Sequence, residues 1–448
     1  MSLAITGVTL IVGVLSCSIE YGTQLYYFKY RQDHGRLRLL INSGLAFLLL
    51  VILISSPLVY LFSGFLSKII MGSTEYGFAI FIAYESICFS TLFSFYLELC
   101  RNMERAKFYS VFTTIQAIIY AALSLLLIVF FKSGYMGFLY ASLCSFLSLS
   151  LILFLLFLKK YPFCFSFKML KESFILSIKM VPTVFLGSIQ AFFDKYLLRV
   201  VVSFTDTGIF SIAQNVSKKM FIFMSAVQST FKPLFLKDMF DRGEEGAVYV
   251  GRNFTVFTYI SLVPIVLLIV LGEEVIRLLA PPSYYPTINV MIILLCAMSM
   301  QTFAKITGLP LAYKNKVYLN FPLSVVGVVS NVLLNISFIP RWGAPGAALA
   351  TLLSIVIVNT LFYMVSQKFY RIKYEKNILF LLYLNIIISS VLIIYSRHIP
   401  TMWPIKYLIK LLSLAAFVFI GVKANIISKH NINALRNIIN FKNSNLSK

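Results

Sequence analysis

The 448-residue chain has few charged residues and few groups that could carry out catalysis. Only 12% of its residues are charged, about half the fraction of roughly 25% found in soluble domains. It has three histidines and no Walker A, GxGxxG or HExxH motif. Its six cysteines lack CxxC spacing, which indicates apolar filling rather than a metal or redox site. These absences disfavour hydrolytic or redox chemistry, and we expect no cofactor.

Apolar residues make up 59% of the sequence, and the mean hydropathy is +0.88. Runs such as 39–62 and 254–271 recur along the chain, and about 20 apolar residues suffice for a helix to cross a bilayer. The sequence therefore predicts an all-α polytopic membrane protein with about 13 transmembrane helices. The predicted spans are 3–28, 38–62, 78–100, 108–131, 135–158, 173–203, 208–236, 253–276, 285–308, 317–339, 344–367, 378–396 and 403–424.

The net charge of +23 comes from 39 basic and 16 acidic residues, and its placement matters more than its size. Twenty-six lysines and arginines fall in alternate loops and the C-terminal tail, against eight in the opposite loops. This is the positive-inside pattern, so it predicts a cytoplasmic C-terminus and an outside N-terminus. The basic excess therefore sets topology, and a nucleic-acid partner is not expected.

An internal repeat appears when the chain is shifted by 209 residues. The segment SGYMGFLYASLCS (133–145) then aligns without a gap on WGAPGAALATLLS (342–354), and 106–116 aligns on 315–325. The shared glycines suit close helix packing in lipid. Because both copies have the same orientation, we predict two parallel lobes around a central cavity.

The repeat predicts three parts of the chain. These are an N-terminal lobe of five spans, a C-terminal lobe of six spans, and two extra spans followed by a basic cytoplasmic tail: 1–172, 173–376 and 377–448. The first-lobe counterpart of span 173–203 would precede Met1, so we expect either that the chain has lost this helix or that its start is assigned too late.

Charges inside apolar spans are costly, so they should face a wet cavity or the bundle interior. The stretch FFDKYLLRVVV (192–202) carries three of them, and Lys195 and Arg199 share a helix face. One interpretation is a cavity that binds an anion; another is an ion pair of Asp194 that only joins two helices. Arg199 could equally reach the outer interface. Further candidates in this lobe are Lys179, Lys218 and Lys219, of which the adjacent pair points in different directions.

The first lobe offers carboxylates and an aromatic, basic segment. Glu20 and Glu85 lie within predicted spans, and the first span continues into TQLYYFKYR (23–31). Gln24, Tyr27 and Lys29 of this segment could line a sugar–phosphate site. An aromatic belt with a positive anchor explains the same residues equally well.

The segment 180–220, followed by TFKPLF (230–235), resembles the polysaccharide (O-antigen) flippases of the multidrug/oligosaccharidyl-lipid/polysaccharide exporter superfamily. The family pattern is matched in order by Pro182, Asp194-Lys195-Tyr196, Gly208 to Ala213, and Pro233. Two features depart from it. The family's first helix is expected to be absent, and tyrosines replace an arginine of its second helix, so that the base is delayed to Lys29.

The resemblance implies a flippase that moves undecaprenyl-diphosphate-linked oligosaccharide across the bacterial inner membrane by alternating access. Lys195 would contact the headgroup, and Asp194 would orient it or carry a coupling H⁺ or Na⁺, as Glu20 or Glu85 could. A polysaccharide polymerase and glycosyltransferases would be its partners. The alternatives are a lipid II flippase and a cation-coupled drug antiporter, for which an acidic cavity is expected. A membrane-embedded glycosyltransferase would need a larger outer loop than the sequence provides.

Overall fold

A computed structural model describes residues 2–30, 33–103, 105–178, 181–314, 316–397 and 403–426. Within these ranges the regular structure is helical, because a hydrocarbon medium offers the backbone no water to bond. The α-helices are α1 (Ser2–Leu15), α2 (Ile19–Tyr30), α3 (His34–Leu61), α4 (Ser63–Met71), α5 (Gly77–Asn102), α6 (Ala106–Leu125), α7 (Gly134–Lys160), α8 (Phe167–Ile178), α9 (Val181–Val201), α10 (Phe204–Arg242), α11 (Gly246–Leu279), α12 (Thr287–Thr307), α13 (Leu309–Tyr313), α14 (Asn320–Phe369), α15 (Lys376–Ser396) and α16 (Trp403–Lys423).

The outward surface of the helices is apolar. Nine helices in the described ranges are long and apolar enough to cross a membrane. The least buried of them is the segment Lys107–Phe130, which includes most of α6. Only 6% of its apolar window lies inside the protein, and Phe130 at its end is 80% exposed. Such a surface would be an aggregation liability in water, whereas lipid covers it. The predicted all-α polytopic membrane fold is therefore confirmed, while the exact number of crossings stays a prediction.

Four of the predicted spans have a different local form. The first, 3–28, is divided into α1 and α2 at Cys17 and Ser18, whose φ angles of 48° and 49° are left-handed. Span 173–203 corresponds to α8 and α9, with residues 179 and 180 outside the described ranges. Spans 317–339 and 344–367 belong to one element, α14, which turns at Gly343.

Within α14, the parts before and after Gly343 pack against each other as an antiparallel hairpin. Gly343 has φ 57° and ψ −133°, a conformation that only glycine adopts readily. Asn331 donates a hydrogen bond to the Ser354 hydroxyl across the hairpin at 3.5 Å. Gly346 lies so close to the Phe338 carbonyl that a Cβ would collide with it. The two arms therefore meet along small or polar side chains.

The first copy of the repeat has the same local conformation. Gly134, which aligns with Gly343, has φ 56°, and Gly137, which aligns with Gly346, packs on Leu127 and Ile128 of the preceding segment. The sequence predicted close packing for all these glycines. The structure divides the role: the first glycine of each GxxG turns the chain, and the second permits the close approach.

The chain folds into two compact units, Met1–Tyr196 and Leu197–Lys448, with their boundary inside α9. The first unit has two apolar clusters, one around α1 and α5 and one that joins α2, α3 and α5. The second has a large cluster centred on α11 and α12 and a smaller aromatic one. The predicted parts 1–172, 173–376 and 377–448 stay a prediction.

We expect Gly343→Ala to destabilise the protein by about 1–3 kcal/mol, because a side chain there is strained. The alanine methyl would also crowd the Asp206 carboxylate. Gly187→Ala in α9 is the matched control, because a Cβ at that position meets no atom within 4 Å. Thermal unfolding in detergent measures both variants. A Gly343→Ala protein that melts no lower than Gly187→Ala would contradict the assigned turn.

Candidate functional site

Asp194 and Lys195 are both buried near the end of α9. Asp194 is 2% exposed and Lys195 5% exposed. In the surrounding sequence only Arg199 is also charged, so burial of these two groups must be balanced by internal polar contacts. The structure thus places the two leading predicted residues together, inside the first compact unit.

The ammonium group of Lys195 is held by hydroxyl groups of α1. Its Nζ donates hydrogen bonds to Ser2 Oγ at 3.0 Å and to Thr6 Oγ1 at 2.8 Å. Ser2 and Thr6 are spaced i, i+4, so they present their hydroxyls on one face of α1. The Thr6 hydroxyl donates its own proton to the Ser2 carbonyl oxygen at 2.8 Å, which leaves its lone pairs for the lysine.

Aromatic side chains of α9 flank the buried lysine. Phe192 and Tyr196 stack with ring centroids 5.5 Å apart. A Cβ on Gly7 of α1 would lie 3.0 Å from the Phe192 ring, so the glycine allows the ring to approach α1 closely. Lys195 thus bonds to two hydroxyls of α1, and a stacked aromatic pair of the same stretch of α9 packs against α1 nearby.

The other predicted cationic residues of α9 and α10 are more exposed. The half-buried Arg199 lies in the last turn of α9, with its Cζ 5.3 Å from the Phe204 ring centroid. Lys218 and Lys219 are exposed on α10. Lys179 lies outside the described residues. The roles of these four residues in binding stay predictions.

The predicted residues of α2 have varied surroundings. Tyr27 is buried in the apolar cluster of α2, α3 and α5. Gln24 and Lys29 fall on the helix, but their side chains lie outside the described ones. Nearby, the Tyr30 hydroxyl donates to Glu172 of α8 at 3.0 Å. Packing of Tyr27 accounts for its burial, and sugar binding by this segment stays a prediction.

Two carboxylates of the first unit have a buried oxygen without a hydrogen-bond partner among the described residues. They are Glu20, through Oε2, and Glu85, through Oε1. An unsatisfied buried carboxylate oxygen is costly, and a proton or a bound cation removes that cost. In contrast, Glu98 of α5 pairs with Arg101, as their i, i+3 spacing predicts.

A cluster of charges that was not predicted from the sequence lies in the second unit, centred on Glu273 of α11. This carboxylate is 3% exposed as a side chain, and it pairs with three bases: Arg277 at 2.8 Å, Arg397 at 3.8 Å and Lys406. Beside it, Glu274 pairs with Lys410 at 2.6 Å. The i, i+4 spacing of Glu273 and Arg277 was a signal for one of these pairs.

The cluster joins α11 to α15 and α16. Arg397 follows the last turn of α15, and burial lowers the pKa of its guanidinium, although this group remains charged at neutral pH. At the other ends of these helices, Arg252 pairs with Glu375 at 3.2 Å and donates to the Ala424 carbonyl at 2.7 Å. The charge pattern puts Arg277, Arg397, Lys406 and Lys410 on the side predicted to face outward. The structure brings these bases together at one end of the helices, around Glu273 and Glu274.

We expect Glu273→Gln to destabilise the protein by about 3–5 kcal/mol, because it leaves buried bases without their carboxylate. Asp33→Asn is the control, since the Asp33 and Arg36 side chains of this ion pair are 51% and 61% exposed and such pairs contribute about 0–1 kcal/mol. The difference in melting temperature between the two variants tests this. Equal melting temperatures would mean that the Glu273 cluster adds nothing specific.

In the described part of the chain, no group of three or more His, Cys, Asp or Glu side chains could hold a metal ion. The arrangement around Lys195 suits the binding of an anion, because a buried ammonium held by hydroxyls can exchange these acceptors for charged ones.

Comparisons with known proteins agree with a transporter fold. The probable flippase AglR of Haloferax volcanii is 24% identical over 171 residues, which cover 38% of this chain and 36% of that protein. The chain thus matches about a third of the length of this relative.

Solved structures match over more of the chain. The lipid II flippase MurJ, in an inward closed conformation, has 17% identity and a TM-score of 0.66, with 95% of this chain and 93% of that chain covered. An inward-facing multidrug resistance MATE transporter of the MOP superfamily has 14% identity and a TM-score of 0.67, with 82% and 90% covered. At these identities the likeness concerns the fold.

The sequence profile described as polysaccharide biosynthesis protein matches residues 4–237. This match covers more than half of the chain, and it contains most of α1, the buried Asp194 and Lys195, and the segments that resemble the polysaccharide flippases. The chain belongs to the polysaccharide biosynthesis protein family.

Proposed function

We propose that this protein is a flippase for undecaprenyl-diphosphate-linked oligosaccharide, such as an O-antigen, capsule or exopolysaccharide repeat unit. It would act by alternating access in the bacterial inner membrane, with its N-terminus outside and its C-terminus in the cytoplasm. The observation that carries this proposal is the buried Lys195, held by two hydroxyls of α1 beside Asp194, inside the region that matches the family.

A diphosphate headgroup needs positive charge where lipid and protein otherwise exclude water. Lys195 supplies a positive charge, and its acceptors include the neutral hydroxyls of Ser2 and Thr6. A phosphate oxygen adds the attraction between opposite charges to the hydrogen bond, which a neutral hydroxyl does not, so it competes well for this ammonium. Binding would then involve a change from hydroxyl to phosphate acceptors. The stacked Phe192 and Tyr196 would flank the bound group.

The carboxylates with unsatisfied oxygens provide a route for coupling to an ion gradient. Glu20 and Glu85 both fit this role because each has one buried carboxylate oxygen without a hydrogen-bond partner among the described residues. Asp194 fits it because it is buried next to Lys195. Uptake of H⁺ or Na⁺ would remove a buried negative charge and so favour one conformation over another. A polysaccharide polymerase and glycosyltransferases are the expected partners, because they would consume and supply the lipid-linked unit.

A lipid II flippase is the second candidate. The coverage of 95% of this chain and 93% of MurJ, at a TM-score of 0.66, favours it. The proposed substrates of both candidates contain a polyprenyl diphosphate, so the same contact at Lys195 would serve either one. The two substrates differ in their sugar portion. Translocation assays in vesicles with lipid II and with a repeat-unit glycolipid compare the two candidates directly.

We expect Lys195→Ala and Asp194→Asn to abolish display of the surface polysaccharide while protein abundance is kept. In vesicles, Lys195→Ala should slow translocation at least about tenfold, since a hydrogen bond to a charged group contributes about 1.5–3 kcal/mol. Lys68→Ala is the control, because Lys68 is an exposed lysine of the same unit. Normal display and translocation in both site variants would remove these residues from the mechanism.

We expect Glu20→Gln or Glu85→Gln to lose the stimulation of translocation by an imposed H⁺ or Na⁺ gradient, because an amide cannot take up the ion. The measurement compares translocation with and without each gradient in the same vesicles. Glu98→Gln is the matched control, because the Glu98 carboxylate is already paired with Arg101. If both variants respond to the gradient as the native protein does, neither glutamate couples translocation to an ion.

A further inference from the structure

The second unit contains a groove between α12, α14 and α15, with a volume of about 450 Å³. We call it the α14–α15 groove. On α14 its wall consists of Val356, Asn359, Thr360 and Tyr363, at the i, i+3, i+4, i+7 spacing that places side chains on one helix face. Val356 and Thr360 are exposed, so the groove opens on the side of the protein.

The facing wall on α15 has the same spacing. It consists of Lys376, Leu379, Phe380 and Tyr383. The Phe380 side chain is 65% exposed, whereas Leu379 is buried. From Lys376 to Tyr383 the wall is roughly 10 Å long at 1.5 Å per residue. The groove is therefore a mostly apolar channel, with a cation at one end.

Most polar groups at the base of the groove already have partners. Asn359 donates to the Met300 carbonyl at 2.6 Å, and the Tyr383 hydroxyl shares a hydrogen bond with Thr302 at 2.8 Å. Tyr374 is the exception. It lines the groove, and its buried hydroxyl has no hydrogen-bond partner within the described ranges. A buried hydroxyl without a partner costs about 1–3 kcal/mol, which a ligand oxygen would offset.

Lys376 adds a charge to the mouth of the groove. It is exposed, and it forms no salt bridge within the residues that the structure describes. The sequence puts it with Lys368, Arg371 and Lys373 on the side predicted to face the cytoplasm. Anionic lipids attract such basic residues next to a membrane helix, at about 1 kcal/mol per residue.

We propose that the α14–α15 groove binds one anionic phospholipid of the bilayer. One acyl chain lies between the apolar walls of α14 and α15, the phosphate faces Lys376, and the Tyr374 hydroxyl donates to a lipid oxygen. A phosphodiester carries a single negative charge, which one lysine balances. The groove presents one cation, so its charge fits a phospholipid better than a diphosphate. This site is separate from the Lys195 contact, and it does not depend on the proposed transport activity.

The first test measures lipid retention by the intact protein. The protein is placed in nanodiscs of equal phosphatidylglycerol and phosphatidylcholine, extracted in detergent, and analysed for bound lipid by native mass spectrometry. We expect one retained phosphatidylglycerol per chain. Thr360→Trp fills the groove from an exposed position and should remove most of the bound lipid. Ile357→Trp, an exposed position of the same helix that does not line the groove, should keep it.

The second test concerns the headgroup. Lys376→Glu should lower the preference for phosphatidylglycerol over phosphatidylcholine by roughly fivefold or more, because it reverses the charge at the mouth. Lys368→Glu makes the same change on an exposed lysine outside the groove and should leave the preference unchanged.

Four results would overturn the proposal, three from the tests above and one from a competition experiment. Native protein could retain no phospholipid, Thr360→Trp could retain as much as Ile357→Trp, or the two lysine variants could keep the same headgroup preference. Added undecaprenyl diphosphate tests whether the groove binds a prenyl chain instead of a phospholipid. If it displaces the phospholipid from the native protein but not from Thr360→Trp, the groove binds a prenyl chain rather than a phospholipid, and the proposal is wrong.

Discussion

The exclusion of water from the hydrocarbon region is the constraint on which this structure depends. Backbone groups must bond internally, which gives helices, and each charge inside a span must find a partner within the protein or face a wet cavity. The two buried charged sites meet that requirement in different ways. Glu273 is surrounded by bases, and its ion pairs join α11 to α15 and α16, so its role is structural. The partners of Lys195 include two hydroxyls of α1, which a negatively charged ligand could replace.

The glycines of the repeat illustrate how one sequence feature serves two physical purposes. Gly134 and Gly343 have φ angles of 56° and 57°, and the second hairpin turns at its glycine within α14, whereas the first has three non-helical residues, 131–133, before Gly134. Gly137 and Gly346 then allow the returning helix to touch the outgoing one. A larger side chain at the first position would strain the backbone, and one at the second would separate the helices. The spacing of three residues keeps both effects within one helical turn.

Sequence reasoning predicted the parts of the site that are local in the chain. A charge in an apolar run is visible without a structure, so Asp194 and Lys195 could be selected, and the repeat predicted the matching hairpins. The Glu273 cluster could not be predicted, because Arg397 and Lys406 are distant in the sequence and helix order does not determine which helices touch. The division of span 3–28 was also missed, since hydropathy does not report the left-handed φ angles of Cys17 and Ser18.

That division has a mechanical consequence for the lysine contact. A continuous helix transmits a rotation about its axis along its whole length, whereas a helix interrupted by two left-handed residues does not. Ser2 and Thr6 lie before the interruption, and Glu20 and Tyr27 lie after it. A twist of α2 therefore need not reach the hydroxyls that hold Lys195. The position of α1 relative to α9, not that of α2, sets whether the ammonium group keeps these two acceptors.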